Sequence, residues 1–299
     1  MKVIRAKVMG FCMGVRRAVE MTCAETQKCS SVYTFGPLIH NPKVLSDLES
    51  LGIQSIESLE QIPRNKNCSV VIRAHGIDPD AENELYKTNA RIVDATCPNV
   101  RVSQLKAQEY ARDGYCLFLA GESEHAEIKG IMGYAKASGA SFCEAVCNAE
   151  EALKTAKKLY GQNTDAKTAL LGQTTICEDD YQKIGKAIET FFPNLKTDQT
   201  ICSATTERQN ALRDLTDKAD CIIIAGGKKS ANTNRLLDIA KASGKPCVLA
   251  ENSEQIPHEF FNYETAGLCA GASTPDSVIE EIENKLLIHE KTTEVTEKK

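Results

Sequence analysis

Short apolar runs recur along the chain, and each ends in a polar, glycine-containing turn that opens a longer segment with helical spacing. The runs inside SVYTFGP, VVIRAHG, YCLFLAG, TALLGQTT, DCIIIAG and AGLCAGAS read as strands, as do Val3 to Val8 and Ala90 to Val93. Between them, Val15, Ala18, Val19 and Cys23 share one helical face, and Val44, Leu45, Leu48 and Leu51 share another that stops at Gly52. Pro98, a favourable first helical residue, starts a helix that runs from Val100 to Arg112. Strand and helix alternate, which predicts an α/β fold with parallel sheets whose polar chemistry lies at the carboxyl ends of the strands.

The pattern repeats. Displacing the sequence by 105 residues aligns Cys97 with Cys202, Gln104 with Gln209, Cys116 with Cys221, Ala120-Gly121 with Ala225-Gly226, and AKASG at 135–139 with AKASG at 240–244, without a gap. A more diverged copy fills the first hundred residues and begins at Cys12. In each copy a polar residue follows the cysteine by 28 positions: His40, His125 and Ser230. A further strand end carries His75, Thr174 with Thr175, and Ser273, at varying offsets. The expected organisation is three pseudo-equivalent α/β lobes, 1–96, 97–195 and 196–283, followed by a polar, disordered tail over 284–299. Three such lobes about a pseudo-threefold axis would bring Cys12, Cys97 and Cys202 together.

Composition narrows the chemistry. The chain has 299 residues, 42% of them hydrophobic, enough for a large core. A net charge of -5 with scattered Lys and Arg argues against nucleic acid as a partner. The first residues are too weakly apolar for a signal peptide and no run approaches membrane-spanning length, so the expectation is a cytoplasmic protein without a membrane partner. Thirteen cysteines, an odd number, in such a compartment do not make a disulfide framework. No C-x-x-C occurs, and the local pair Cys143 and Cys147 reads as structural.

One cysteine per repeat suits a metal centre. Three thiolates can hold a cuboidal iron-sulfur cluster by three corners and leave one iron open, at once a Lewis acid and an electron donor. A zinc ion on three thiolates and plain core packing are the alternatives. Around this centre His40 with Asn41, His75, His125, Ser230 with Asn232, and Ser273 are neutral or titratable hydrogen-bonding groups near helix starts, which suits a phosphate or diphosphate. His258 and His289 lack that placement, and no phosphate loop or G-x-G-x-x-G is present.

The segments GFCMGVRRAV, GPLIHNPKV, RAHG, DATCPNV, ESEHAEIKGIMG, GQTT, CSATTERQ, SANTNRL and AGAST, spread from about residue 3 to 281, resemble the 4-hydroxy-3-methylbut-2-enyl diphosphate reductases, also called LytB or IspH. The resemblance implies a trefoil of three α/β lobes around one 4Fe-4S cluster per chain, held by the cysteines matching Cys12, Cys97 and Cys202. It implies reductive removal of the substrate hydroxyl to give isopentenyl and dimethylallyl diphosphate, the last step of the non-mevalonate isoprenoid route. By motif, His40, His75, His125, Ser230, Asn232 and Ser273 would bind diphosphate, and Glu127 with Thr174 would handle the proton and the substrate hydroxyl, with His125 beside them. Asn41, Thr175 and Thr205 would support them from behind. Many members have a second serine where this chain has Ala231, so one hydroxyl contact to the substrate should be missing or taken over by backbone N–H or water.

The reaction consumes two electrons, and the chain has no flavin or nicotinamide motif, so an external donor such as a ferredoxin or flavodoxin is expected. Two rivals use the same residues differently. A zinc hydrolase would ligate through His40, His75 and His125 with Glu127 as base, and a redox or phosphometabolite sensor would use a cluster without an acid. The combined motif set favours the reductase.

Overall fold

The computed structural model describes residues 1–63 and 67–296, with side chains described as far as 288. In chain order the elements are β1 (Lys2–Arg5), α1 (Met13–Glu25), β2 (Ser31–Phe35), α2 (Pro42–Ser50), β3 (Ile53–Ile56), β4 (Cys68–Ile72), α3 (Pro79–Tyr86), β5 (Arg91–Asp94), α4 (Pro98–Arg112) and β6 (Cys116–Ala120). There follow α5 (Ala126–Ala137), β7 (Cys143–Val146), α6 (Ala149–Gln162), β8 (Thr168–Gly172), α7 (Glu178–Glu189), β9 (Lys196–Asp198), α8 (Ser203–Thr216), β10 (Cys221–Ala225), α9 (Ala231–Ala242), β11 (Cys247–Ala250), β12 (Thr265–Ala270) and α10 (Asp276–Thr296).

The strands form three four-stranded sheets with one plan, β3-β2-β4-β5, β7-β6-β8-β9 and β11-β10-β12-β1, and every pairing is parallel. The inner strands β4, β6, β8 and β10 are buried along their whole length. That is why they read as unbroken apolar runs. The edge strands β3, β7 and β9 lack such runs, because a strand covered on fewer sides tolerates polar residues; β9 is the tripeptide KTD.

By compactness the chain divides into two units. One comprises Met1–Arg16, Ile39–Ser50 and Ser203–Lys299; the other comprises Arg17–Leu38 and Leu51–Cys202. In the first unit, alternate residues of β10 feed two cores. Ile222 and Ile224 pack with Leu212, Leu215 and Leu236 of α8 and α9, while Cys221 and Ile223 pack with Val278, Ile279, Ile282 and Leu286 of α10. In the second unit β6 does the same. Leu117 and Leu119 meet Ala107, Tyr110, Ile128 and Ile131 of α4 and α5, and Phe118 meets Ala152, Ile184 and Ile188 of α6 and α7. The other sheet of that unit packs Val70 and Ile72 against Ile77 and Leu85. This alternation is the pleat of a strand buried on both faces.

Two features differ from the sequence division. β1, at the start of the chain, pairs with β12 near its end, and β9, placed by sequence in the third lobe, pairs with β8 of the second sheet. Each cysteine therefore follows the outer strand of one sheet and opens the helix that leads toward the next sheet, so the repeat closes on itself as a circular permutation. Parallel pairing requires a crossover, and the outer position is open to whichever strand arrives with its exposed edge free. The tail expected to be disordered from 284 continues α10 as helix to Thr296, and 297–299 lie outside the described residues. Val278, Ile279, Ile282 and Leu286 anchor the first turns, and no Gly or Pro follows Pro275 to stop propagation.

Candidate functional site

Each of the three repeat cysteines is half-buried and is fixed by its own backbone. The amide of Cys12 donates to the Ala272 carbonyl (3.0 Å), that of Cys97 to Ala74 (2.9 Å) and that of Cys202 to Thr174 (3.1 Å). The acceptors are equivalent: Ala272 precedes Ser273, Ala74 precedes His75, and Thr174 precedes Thr175. One peptide hydrogen bond thus ties every cysteine to a loop that carries a second candidate residue. Each cysteine also stands immediately before a helix. The Val15 amide reaches Cys12 Sγ at 3.4 Å.

Arginines hold the cysteine loops from behind. Arg208 Nη2 donates to the Gly10 carbonyl at 2.8 Å, two residues before Cys12. In the other unit Arg17 Nη1 donates to Thr96 O at 3.2 Å, one residue before Cys97. Neither arginine stood out in the sequence, because nothing about an arginine on an amphipathic helix distinguishes a carbonyl clamp from a solvated charge.

In the first unit, His40, Ser230 and Ser273 come together. Ser273 Oγ lies 3.4 Å from both the His40 carbonyl and Ser230 Oγ. Ser230 caps α9, its Oγ accepting from the Thr233 amide, and Ala231 is buried in the first turn. A Cβ on Gly227 would lie 2.5 Å from the His40 carbonyl, so only glycine lets these two loops meet. Asn41 Oδ1 accepts from the Val44 amide and starts α2, a structural task that directs His40. Asn232 is 4% exposed, yet among the described residues neither Nδ2 nor Oδ1 has a hydrogen-bond partner. A buried amide with no partner is costly unless something else satisfies it. Thr205 is buried in the first turn of α8.

The second unit holds Glu127. His125 caps α5, its Nδ1 accepting from the Glu127 amide at 3.2 Å, so a neutral ring carries its proton on Nε2. The His75 ring stands edge-on to it, with centroids 5.3 Å apart. Gly76, at φ 70°, turns the chain behind His75. Glu127 is 2% exposed, and burial pushes its carboxyl up to about 7 against two hydrogen bonds that pull it down. Those bonds both come from Thr174, whose amide donates to Oε1 at 2.6 Å and whose hydroxyl donates to Oε2 at 2.8 Å. Thr175 Oγ1 accepts from Gln173 Nε2, and Gln173 Oε1 accepts from the Glu122 amide, so this glutamine, passed over in the sequence, braces the GQTT turn.

Outside these loops Cys143 lies in the core, its thiol pushed up to about 12 by burial, and Cys147 is exposed with its Sγ on Glu151 Oε2 at 3.0 Å. Asn99 Nδ2 donates to Cys202 Sγ at 3.0 Å, a contact between the openings of two different helices. No helix among the described residues is long and apolar enough to cross a membrane.

The model of the LytB protein family matches residues 3–287. A 4-hydroxy-3-methylbut-2-enyl diphosphate reductase of Treponema denticola is 42% identical over 96% of this chain and 99% of its own length. The enzyme of the same name from Aquifex aeolicus is 34% identical over 95% of both chains. Among solved structures, the E-1-hydroxy-2-methyl-but-2-enyl-4-diphosphate reductase of Plasmodium falciparum superposes with a TM-score of 0.87 at 27% identity, covering 95% of this chain and 87% of that one. An (E)-4-hydroxy-3-methyl-but-2-enyl diphosphate reductase, described as the terminal enzyme of the non-mevalonate pathway, gives 0.69 at 32% identity, covering 96% and 99%.

Proposed function

The chain belongs to the LytB family of 4-hydroxy-3-methylbut-2-enyl diphosphate reductases, and from that premise we propose how its residues carry out the reaction. It is a reductase of the non-mevalonate pathway, and the transformation takes an allylic alcohol, two electrons and two protons to an isopentenyl or dimethylallyl diphosphate and water. The observation that carries the residue assignment is Thr174. Its side chain and amide hold both oxygens of Glu127, and its carbonyl holds the amide of Cys202, so one residue joins the buried acid to a repeat cysteine.

Cys12, Cys97 and Cys202 fit a 4Fe-4S cluster, one per chain. The donor set is three half-buried thiols, each pinned through its backbone and each placed at a helix start. When bound, that group supplies the electrons and a Lewis-acidic iron for the hydroxyl. The electrons come to it from a small external carrier, a ferredoxin or a flavodoxin, in the cytoplasm.

The chain's own part is to hold the anion and deliver a proton. His40, His75, Ser230, Asn232 and Ser273 donate to the diphosphate, and the unpartnered Nδ2 of Asn232 gains an acceptor when it does so. Ala231 leaves that cradle one hydroxyl short of the commoner family pattern. Protonated Glu127 carries its hydrogen on Oε2, because Oε1 faces an amide N–H that can only donate. The Thr174 hydroxyl then accepts from Oε2 and turns its own hydrogen outward, which makes it the relay to the substrate hydroxyl. His125, with its proton on Nε2, steadies the same oxygen or the diphosphate beside it.

The test is anaerobic purification followed by iron and sulfide analysis and turnover with a chemical reductant. Brown protein with about four irons per chain that converts the diphosphate supports the assignment. Colourless protein carrying zinc would favour a hydrolase built on the histidines and Glu127.

A further inference from the structure

The three repeat cysteines are equivalent in backbone setting but not in what reaches their sulfurs. Cys12 Sγ is approached by an amide of its own helix, Val15 N at 3.4 Å. Cys202 Sγ accepts from a side chain on a different helix, Asn99 Nδ2, at the shorter distance of 3.0 Å. Asn99 lies two residues after Cys97, and the positions two after the other cysteines are Gly14 and Ala204, which have no side-chain donor. The repeat therefore supplies this donor at one place out of three.

The aim of the amide is fixed by its surroundings. Cys97 N–H is held by Ala74, and Thr96 O by Arg17. One turn on, Arg101 Nη2 bonds Glu82 Oε1 at 3.0 Å and Asp94 Oδ2 at 2.7 Å, clamping the first turn of α4 to α3 and β5. Asn99 thus projects from a first helical turn that is held on both sides.

We propose that Asn99 is a positioning residue that raises the reduction potential of the iron-sulfur group through Cys202, a role that rests on the cofactor assignment above. One-electron reduction adds negative charge that is shared with the cysteine sulfurs. A fixed N–H on one sulfur stabilises the reduced state more than the oxidised one, which is among the main ways proteins tune such centres. The same cysteine is bonded through its amide to Thr174, the residue that holds Glu127. Asn99 would thereby ease electron uptake through the cysteine that is tied to the residue holding Glu127.

The experiment is a redox titration followed by electron paramagnetic resonance on the anaerobically reconstituted full chain, with iron and sulfide measured on every sample. Asn99→Ala is expected to keep wild-type iron and sulfide while its equilibrium constant for one-electron reduction falls about tenfold, a drop of about 59 mV. Its iron–cysteine stretching bands in resonance Raman spectra should move upward as the sulfur stops sharing its lone pair. Asn99→Asp, which keeps the size and replaces the donor by an anion, should lower the potential further, and it serves as the reading if the alanine variant loses the group. Val102→Ala, an exposed change on the same helix, should leave the potential where it is. An unchanged midpoint in Asn99→Ala, a midpoint at or above wild type in Asn99→Asp, or an equal drop in Val102→Ala would overturn the proposal. Wild-type protein that holds no iron or sulfide after reconstitution would instead sink the cofactor assignment, and this role with it.

Discussion

Glu127 and Asn232 occupy the same place in two copies of one motif, each two residues after a helix cap, His125 in one copy and Ser230 in the other. Both are buried. The glutamate has both oxygens satisfied from within by Thr174, whereas the asparagine has neither polar atom satisfied among the described residues. A buried group with its own partners can hold a proton in place, and a buried group without partners is open to a ligand. One scaffold position thus carries a carboxyl satisfied from within in one unit and an amide left open in the other, which matches the proposed roles of proton store and anion contact.

The largest effect should come from the three repeat cysteines. Cys12→Ser, Cys97→Ser or Cys202→Ser should abolish iron retention and turnover, whereas Cys143→Ser should change neither. Iron analysis alongside turnover checks this, and a serine variant at 202 that kept its iron would detach the acid site from the metal.

Glu127→Gln keeps shape and hydrogen bonding but has no acidic proton. Turnover should fall by roughly two to four orders of magnitude with substrate affinity little changed. Near-normal turnover would move the proton role to His125 and break the contrast with Asn232.

The pH dependence follows from burial. With the carboxyl at about 7, the acid form prevails below neutrality and turnover should decline as pH rises through 7, a limb absent in Glu127→Gln. The sign for stability is the same. A carboxyl raised on folding binds its proton more tightly in the native state, so stability is fully present below the unfolded value near 4.5 and is lost as pH rises through 7. The loss is on the order of 3 kcal/mol, and denaturant titrations at pH 5 and pH 8 should show it in the wild type and not in Glu127→Gln.

Asn232→Ala should weaken substrate binding by about 1–3 kcal/mol without lowering the unfolding midpoint, because the amide gives up no internal partner. A collapsed kcat at unchanged KM would place Asn232 in the chemical step and erase the distinction. The smallest effect is expected of Ala231→Ser, which adds a hydroxyl beside Ser230 and should leave KM unchanged or slightly lower. Steady-state kinetics on the two variants sharpen how much of the anion cradle the side chains supply.

The sequence by itself determined the repeat, the one-per-copy cysteines, the inner strands and the residues at the strand ends, because strands buried on both faces must be apolar and polar residues stand out where they stop. It also carried the family resemblance. It could not assign β1 to the sheet of β12 or β9 to that of β8, since a short edge strand has little apolar signature and its partner is chosen by which edge is open. Nor could it separate Asn99 from any other polar residue in a helix start, or Arg17 and Arg208 from surface charges. Hydrogen bonds between residues scores of positions apart leave no local periodicity, and whether Glu127 or Asn232 is satisfied depends on which side chain the fold brings within 3 Å. Those choices belong to the tertiary structure, where desolvation turns an ordinary carboxyl into one that holds its proton near neutral pH.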